Sequence, residues 1–345
     1  MEIHLASMEN VTCWAFRKLC KGATDSYTGM MSANYLIRRS KAWKEVDMFP
    51  IEGQRQWLQI ATSKEKECSE LLARLERELS TFPQKNSLYG IQLNASCPSP
   101  EVVNLGQGGA LMKRPKKIIS LIQELLKPQD LLALTNLDGA QEPKHIQGFL
   151  TPHKFKVSLK IRLGFNIFEA KKSILVLLEE LQKIKDPNFS HVVIHFKYAS
   201  EQSFTPYNYS ILNEICQFKV PLIINGGINN YNDFKKIISS IPKNNNIKGF
   251  MIGREAINNP DCFASILNSM HNITKPLRLR RALGDPGEID KTNSSLKAGD
   301  FSRGLNNPVR TPDKILSEFK ELCEQHPPKD IYLKKIAEFA PWAKR

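Results

Sequence analysis

The chain has 345 residues, a formal net charge of +14 and 41% hydrophobic residues, the balance of a globular protein with a substantial core. No apolar run reaches the ~18 residues of a membrane span, the N-terminus lacks the basic and apolar regions of a secretory signal, and seven irregularly spaced cysteines make neither a disulfide framework nor a C-x-x-C metal site. We therefore expect a cytoplasmic protein with no membrane anchor and no metal; the excess of Lys and Arg suits a polyanion partner, with a solvated lysine-rich surface as the alternative.

In chain order, Glu2 to Ser7 is predicted as a strand and Thr12 to Lys21 as a helix, with Thr12 as N-cap and Gly22 as its stop. Tyr27 to Met31 is a second strand, followed by a basic helical piece around Tyr35 to Arg39. Arg55 to Ala61 is the third strand, and Ser63 to Leu79 is a charged amphipathic helix capped at Ser63. The fourth strand alternates through Tyr89, Ile91 and Leu93 and ends at Asn94. Cys97-Pro98 and a loop with Gly106, Gly108 and Gly109 then lead to a helix over Pro115 to Leu126. A strand end gives a thiol a rigid scaffold behind and an open loop ahead, and Pro98 restricts the turn; a lone cysteine otherwise reads as a half-buried structural residue.

Residues 128–155, with prolines at 128, 143 and 152, read as an insertion on the barrel rim, helical in part (Asp130 to Leu134). Lys156 to Gly164, His191 to His195, Val220 to Ile228 and Ile247 to Ile252 are the remaining strands. The helices Phe168 to Ile184, Tyr209 to Phe218, Tyr231 to Ile241 and Pro260 to Met270 follow them in turn. Eight strand–helix units within ~270 residues predict an α/β fold, a (β/α)8 TIM barrel. The Asn225-Gly226-Gly227 turn after strand seven and Gly253-Arg254 after strand eight form a phosphate-binding arrangement of backbone N–H groups with one added cation. From Leu277 to Pro312 the chain reads as linker, and Asp313 to His326 and Asp330 to Phe339 as helices.

The order of several short motifs resembles the dihydrouridine synthase family, flavin enzymes that reduce uridine in transfer RNA. Asn94-Ala95-Ser96-Cys97-Pro98 is similar to its N-x-G-C-P, and Ala110-Leu111-Met112-Lys113-Arg114-Pro115 to the close of that motif. Ala6-Ser7-Met8-Glu9-Asn10-Val11-Thr12 resembles A-P-M-E-x-V-T, and Phe16-Arg17-Lys18-Leu19 its F-R-x-L. Thr28-Gly29-Met30-Met31-Ser32-Ala33 resembles T-E-M-V-S-A, and K-I-R-L-G recurs at Lys160 to Gly164. His195 is similar to the histidine of H-G-R, where Phe196 and Lys197 replace the last two residues; Ser7 and Ser96 replace a proline and a glycine.

The resemblance, from about Glu2 to Phe263, implies FMN as cofactor, NADPH as reductant and tRNA as partner. It places Ala6, Ser7 and Met8 against the flavin ring, with Gln59, Lys160 and His195 as further flavin ligands. Asn225, Gly226, Gly227, Gly253 and Arg254 then hold the phosphate, and Asn94 and Lys197 face the substrate. Cys97 becomes the acid that protonates C5 of uracil after hydride reaches C6. The implied organisation is a catalytic barrel over 1–274 and a linker with a helical tRNA-binding region over 275–345, in a monomer. Two other readings stay open: an FMN barrel acting on a small pyrimidine or enoate, and a tRNA-binding relative without turnover.

Overall fold

The computed structural model describes residues 1–81, 87–127, 155–243, 245–270 and 310–344. The predicted insertion and most of the predicted linker lie outside these residues. Eight parallel strands form a closed barrel: β1 (Glu2–Leu5), β2 (Asp25–Tyr27), β3 (Arg55–Ala61), β4 (Leu88–Ala95), β5 (Lys156–Arg162), β6 (Phe189–His195), β7 (Leu222–Asn225) and β8 (Ile247–Ile252). Each pairs with its sequence neighbours, β1 also with β8, so the ring closes. A two-residue strand, Met31–Ser32, pairs with the end of β3. Parallel strands covered by helices need apolar side chains on both faces, and the runs Val192–Ile194 and Leu222–Ile224 are buried throughout.

Two cores result. The larger lies between barrel and helices, where Leu121, Ile122, Leu177 and Leu178 meet outward-facing strand residues such as Leu93, Leu159 and Ile194. The smaller fills the barrel with Ala6, Tyr27, Trp57, Val193, Ile223 and Met251. Near the N-terminal ends of the strands, Arg55 bonds Glu2 (2.6 Å) and Asp25 (2.7 Å). Asp25 also accepts from Trp57 Nε1 (2.8 Å), and the Tyr27 hydroxyl bridges His4 (3.0 Å) and His191 (2.9 Å). Glu2, His4 and Asp25 bring ligand atoms within 4.8 Å of one another, and the Arg55 guanidinium holds both carboxylates. This network, buried at His4, Asp25, Tyr27, Trp57 and His191 and reaching solvent at Glu2 and Arg55, fixes the barrel floor.

Several expected boundaries shift. The first helix is Trp14–Leu19 with Cys13 at its cap position. Thr12 instead closes the turn after β1, accepting from Met8 N–H (3.2 Å) and donating to the Met8 carbonyl (3.0 Å). The second strand begins two residues earlier than predicted because Asp25 and Tyr27 are drawn into the barrel floor. Ser63 caps no helix; its hydroxyl donates to the Leu105 carbonyl (3.3 Å), and the helix is Glu65–Thr81. The helix expected over Tyr209 to Phe218 is a single turn, Leu212–Ile215. The C-terminal helices are Pro312–Gln325, capped by Thr311, and Asp330–Phe339. They dock on the barrel through Arg310, which bonds Asp261, Glu318 and the Leu19 carbonyl, and through Trp342 Nε1 on the Ile257 carbonyl (2.8 Å). Among the described residues no helix is long and apolar enough to cross a membrane.

Candidate active site

The sequence-predicted residues gather where the parallel strands end. Register places Gln59 beside Gln92, Asn94 beside Lys160, and Lys160 beside Val193. Arg162 stands beside His195, and His195 beside Asn225. Because side chains alternate along a strand, Lys160 and Arg162 share one face. Strands β1 and β8 meet at the same rim: Ala6 N–H donates to the Ile252 carbonyl (2.8 Å), and a Cβ on Gly253 would lie 3.5 Å from the Ala6 methyl. Ala6, the first residue of Ala6-Ser7-Met8, thus borders Gly253.

The cysteine loop is built from its own neighbours. Asn94 Oδ1 accepts from the N–H of Ser96 (2.9 Å) and of Cys97 (2.8 Å), an Asx-type turn that a strand-ending asparagine readily forms. Asn94 Nδ2 donates to Gln59 (2.7 Å), Gln59 to Gln92 (2.7 Å), and Gln92 to Ser158 (3.1 Å). Gln59 therefore stands in a chain of amides, and keeps one N–H and one lone pair for a ligand. The Cys97 carbonyl accepts from Gly109 N–H (2.7 Å). Gly108 has φ +54°, and a Cβ there would fall 2.6 Å from that carbonyl, so only glycine lets the loop fold back on the cysteine. Arg162 locks the arrangement from the next strand, donating to the carbonyls of Ser96 (2.8 Å) and Tyr198 (2.7 Å). Within K-I-R-L-G, the place of Arg162 two residues after Lys160, on the same strand face, is the sequence signal for this role.

Electrostatics follow from burial. Desolvation raises the half-buried Cys97 thiol above its ordinary value, opposed by the Ser99 N–H and by Arg162 and Lys160, so the proton stays on sulfur at neutral pH. Lys160 is 9% exposed, and burial, then Arg162, pushes its ammonium down to about 8. No hydrogen bond or ion pair holds that ammonium among the described residues. His195 is held neutral, well below its ordinary value, by desolvation first and then by Arg162 and Lys160.

The glycine turn is formed, with φ +113° at Gly226 and +65° at Gly227; Asn225 Nδ2 ties it to the Met251 carbonyl (2.9 Å). Tyr207 lies on it. A Cβ on Gly226 would meet the Tyr207 ring at 2.3 Å, Arg254 Nη2 donates to its hydroxyl (3.0 Å), and His195 packs against it edge-on at 5.6 Å. Lys197 points into its own loop, where it donates to the Ser203 carbonyl (2.6 Å) and sits over the Tyr207 ring at 4.7 Å. Tyr207 carried no signal in the sequence reading.

Comparison with known proteins identifies the family. The profile of the family described as "Dihydrouridine synthase (Dus)" matches residues 4–131 and 145–292. The chain is 29% identical over 182 residues to a tRNA-dihydrouridine(20) synthase of Schizosaccharomyces pombe, covering 52% of this chain and 32% of that protein. Identity to the Saccharomyces cerevisiae protein of the same description is 30% over 183 residues, covering 52% of this chain and 40% of that one. A probable tRNA-dihydrouridine synthase of Helicobacter pylori is 26% identical over 283 residues, covering 79% and 71%. The matched region is about a third to two fifths of the two yeast proteins' length. With a family profile matched over most of its length and the family's motifs assembled at one barrel mouth, the chain belongs to the dihydrouridine synthase family.

Proposed function

We propose that this protein reduces uridine in tRNA to 5,6-dihydrouridine, using FMN and NADPH. The observation that carries the reading is the placing of a protonated thiol, Cys97, beside a lysine that is 9% exposed and whose ammonium has no partner among the described residues, Lys160, at the ends of adjacent strands. An unpaired buried cation is costly and suits a site that receives negative charge. The residues fit a flavin. Lys160 offers a positive charge to the reduced flavin, Gln59 has a free donor and acceptor, and the Gly226-Gly227 and Gly253-Arg254 turns supply backbone N–H groups for a phosphate. Tyr207 must leave the glycine turn for a phosphate to lie there.

When bound, the flavin supplies the hydride for C6 of the uracil. Cys97 holds a proton on sulfur and gives it to C5, where hydride addition leaves carbanion character. Asn94 and Arg162 fix the backbone on either side of that thiol, so that the proton is presented from one direction. Lys160 stabilises negative charge at the flavin's N1/O2 edge, and neutral His195 borders the phosphate site. The uridine must leave its stack to enter the barrel mouth. Residues 1–274 carry this chemistry, and the C-terminal helices, with the basic surface, hold the tRNA by shape and phosphate. The test is direct: protein purified with a flavin spectrum should, with NADPH, introduce dihydrouridine into an unmodified tRNA transcript. A colourless protein that adds none refutes the proposal.

A further inference from the structure

Three consecutive strand–helix connections on the catalytic face each present large apolar side chains to solvent, the pair after β5 being the first two residues of the helix Ile167–Leu181. After β4 stands Leu105, 66% exposed; after β5 stand Ile167 (65%) and Phe168 (94%); after β6 stands Phe204 (85%). Their backbones are pinned. Ser63 donates to the Leu105 carbonyl (3.3 Å), Asn166 Oδ1 accepts from Phe168 N–H (3.0 Å), and Lys197 holds the Ser203 carbonyl beside Phe204 (2.6 Å).

The loops also lock to one another. Arg162 ties the Ser96 and Tyr198 carbonyls, the N–H groups of Ala199 and Ser200 donate to the Gly164 and Phe165 carbonyls (3.0 and 2.9 Å), and Lys113 Nζ sits over the Phe165 ring at 3.8 Å. Lys113 and Arg114 are exposed and, among the described residues, pair with no acid. Scattered apolar side chains on a surface mean little; four on the connections after three neighbouring strands, with Lys113 and Arg114 on the first and Arg162 tying the others to the Cys97 loop, make a ridge of separate side chains open to a partner.

We propose that this ridge binds single-stranded RNA, with Phe168 and Phe204 as stacking platforms for the bases that flank the reduced uridine. The inference rests on the function proposed above and adds to it the way the RNA is held open. A flipped-out base leaves its neighbours unstacked, and exposed rings on a fixed backbone replace the lost stacking. Lys113 and Arg114 meet the adjoining phosphates, which an apolar protein partner would leave unpaired.

The test uses the full-length, flavin-loaded protein and two probes, an unmodified tRNA transcript and a uridine-rich single-stranded hexamer. Circular dichroism and flavin content check the fold of each variant. Phe168→Ala and Phe204→Ala should each weaken binding of both probes by about tenfold, as expected for one lost base–aromatic stack. Phe168→Trp should retain binding, and Phe168→Leu, equally apolar without a π face, should behave like the alanine variant. The salt slope of tRNA binding should stay that of the parent, because no phosphate contact is removed. Parental affinity in both alanine variants, no binding of either probe by the parent, or full binding by Phe168→Leu overturns the inference. So does a change of oligomeric state as the only effect, which would assign the ridge to a second copy of the chain. If the alanine variants lose RNA while the parent yields no dihydrouridine, the ridge stands and the reading of the activity fails. Dihydrouridine formation with unaltered binding gives the converse.

Discussion

Replacing Lys160 by methionine should make the flavin-free protein more stable while disabling it. The side chains are alike in length, and Lys160 is 9% exposed with no partner for its ammonium among the described residues. Burial and Arg162 take that ammonium from 10.5 to about 8. At ~1.36 kcal/mol per tenfold in acidity, holding it charged at neutral pH costs the folded state about 3 kcal/mol. Methionine removes that penalty. The sign has a signature: between about 8 and 10.5 the unfolded chain binds more protons than the folded one, so parental stability rises with pH through that window and approaches that of the variant. Urea unfolding of flavin-stripped protein at pH 7, 8.5 and 10, followed by tryptophan fluorescence, measures the gap and its closure. Reconstitution should show weaker flavin binding and slow reduction by NADPH in the variant. A methionine variant less stable than the parent at pH 7, or a gap independent of pH, would refute the account of Lys160.

Two further outcomes follow from the same geometry. His191, fully enclosed in the barrel floor, is held neutral down to about 3, by burial first and then by the positive field of His4. The unfolded chain takes up its proton below about 6.5, so His191 alone should lower stability by about 2 kcal/mol from pH 7 to pH 5, with neutral His195 adding a loss of the same sign; a urea midpoint unchanged across that range would contradict it. Tyr207→Ala should clear the glycine turn and speed flavin uptake by apoprotein in stopped-flow fluorescence, whereas slower or absent uptake would mean that the ring supports the site rather than fills it.

The barrel was legible because parallel strands buried on both faces leave short apolar runs between helical segments, and Lys156 to Arg162 or Ile247 to Ile252 could hardly be anything else. The Cys97 loop was legible for a local reason: Asn94 and Pro98 lie within three residues of the thiol, and Gly108 folds back on it from eleven residues on. What escaped was held by partners distant in sequence. The Tyr27–His191 bond joins residues 164 apart, and nothing near either histidine in the floor announces a network. Arg162 acts on carbonyls 66 and 36 residues away. Thr12 looked like a helix cap because its type suits that role, and the turn onto Met8 competed successfully for the same hydroxyl. Lys197 Nζ donates to the Ser203 carbonyl of its own loop, a conformation that residue type cannot reveal.

In the proposed reaction, Cys97 delivers a proton to C5 after hydride has reached C6. The most direct measurement of that step is single-turnover reduction of unmodified tRNA by pre-reduced enzyme, with dihydrouridine quantified after quenching, in the parent and in Cys97→Ala. The account predicts that the alanine variant keeps its flavin, keeps NADPH oxidation by oxygen and keeps its tRNA affinity, while product formation falls by ~10²–10⁴, the weight of one positioned acid. Dihydrouridine formed at a rate near that of the parent would contradict it and leave Cys97 a structural residue of the loop.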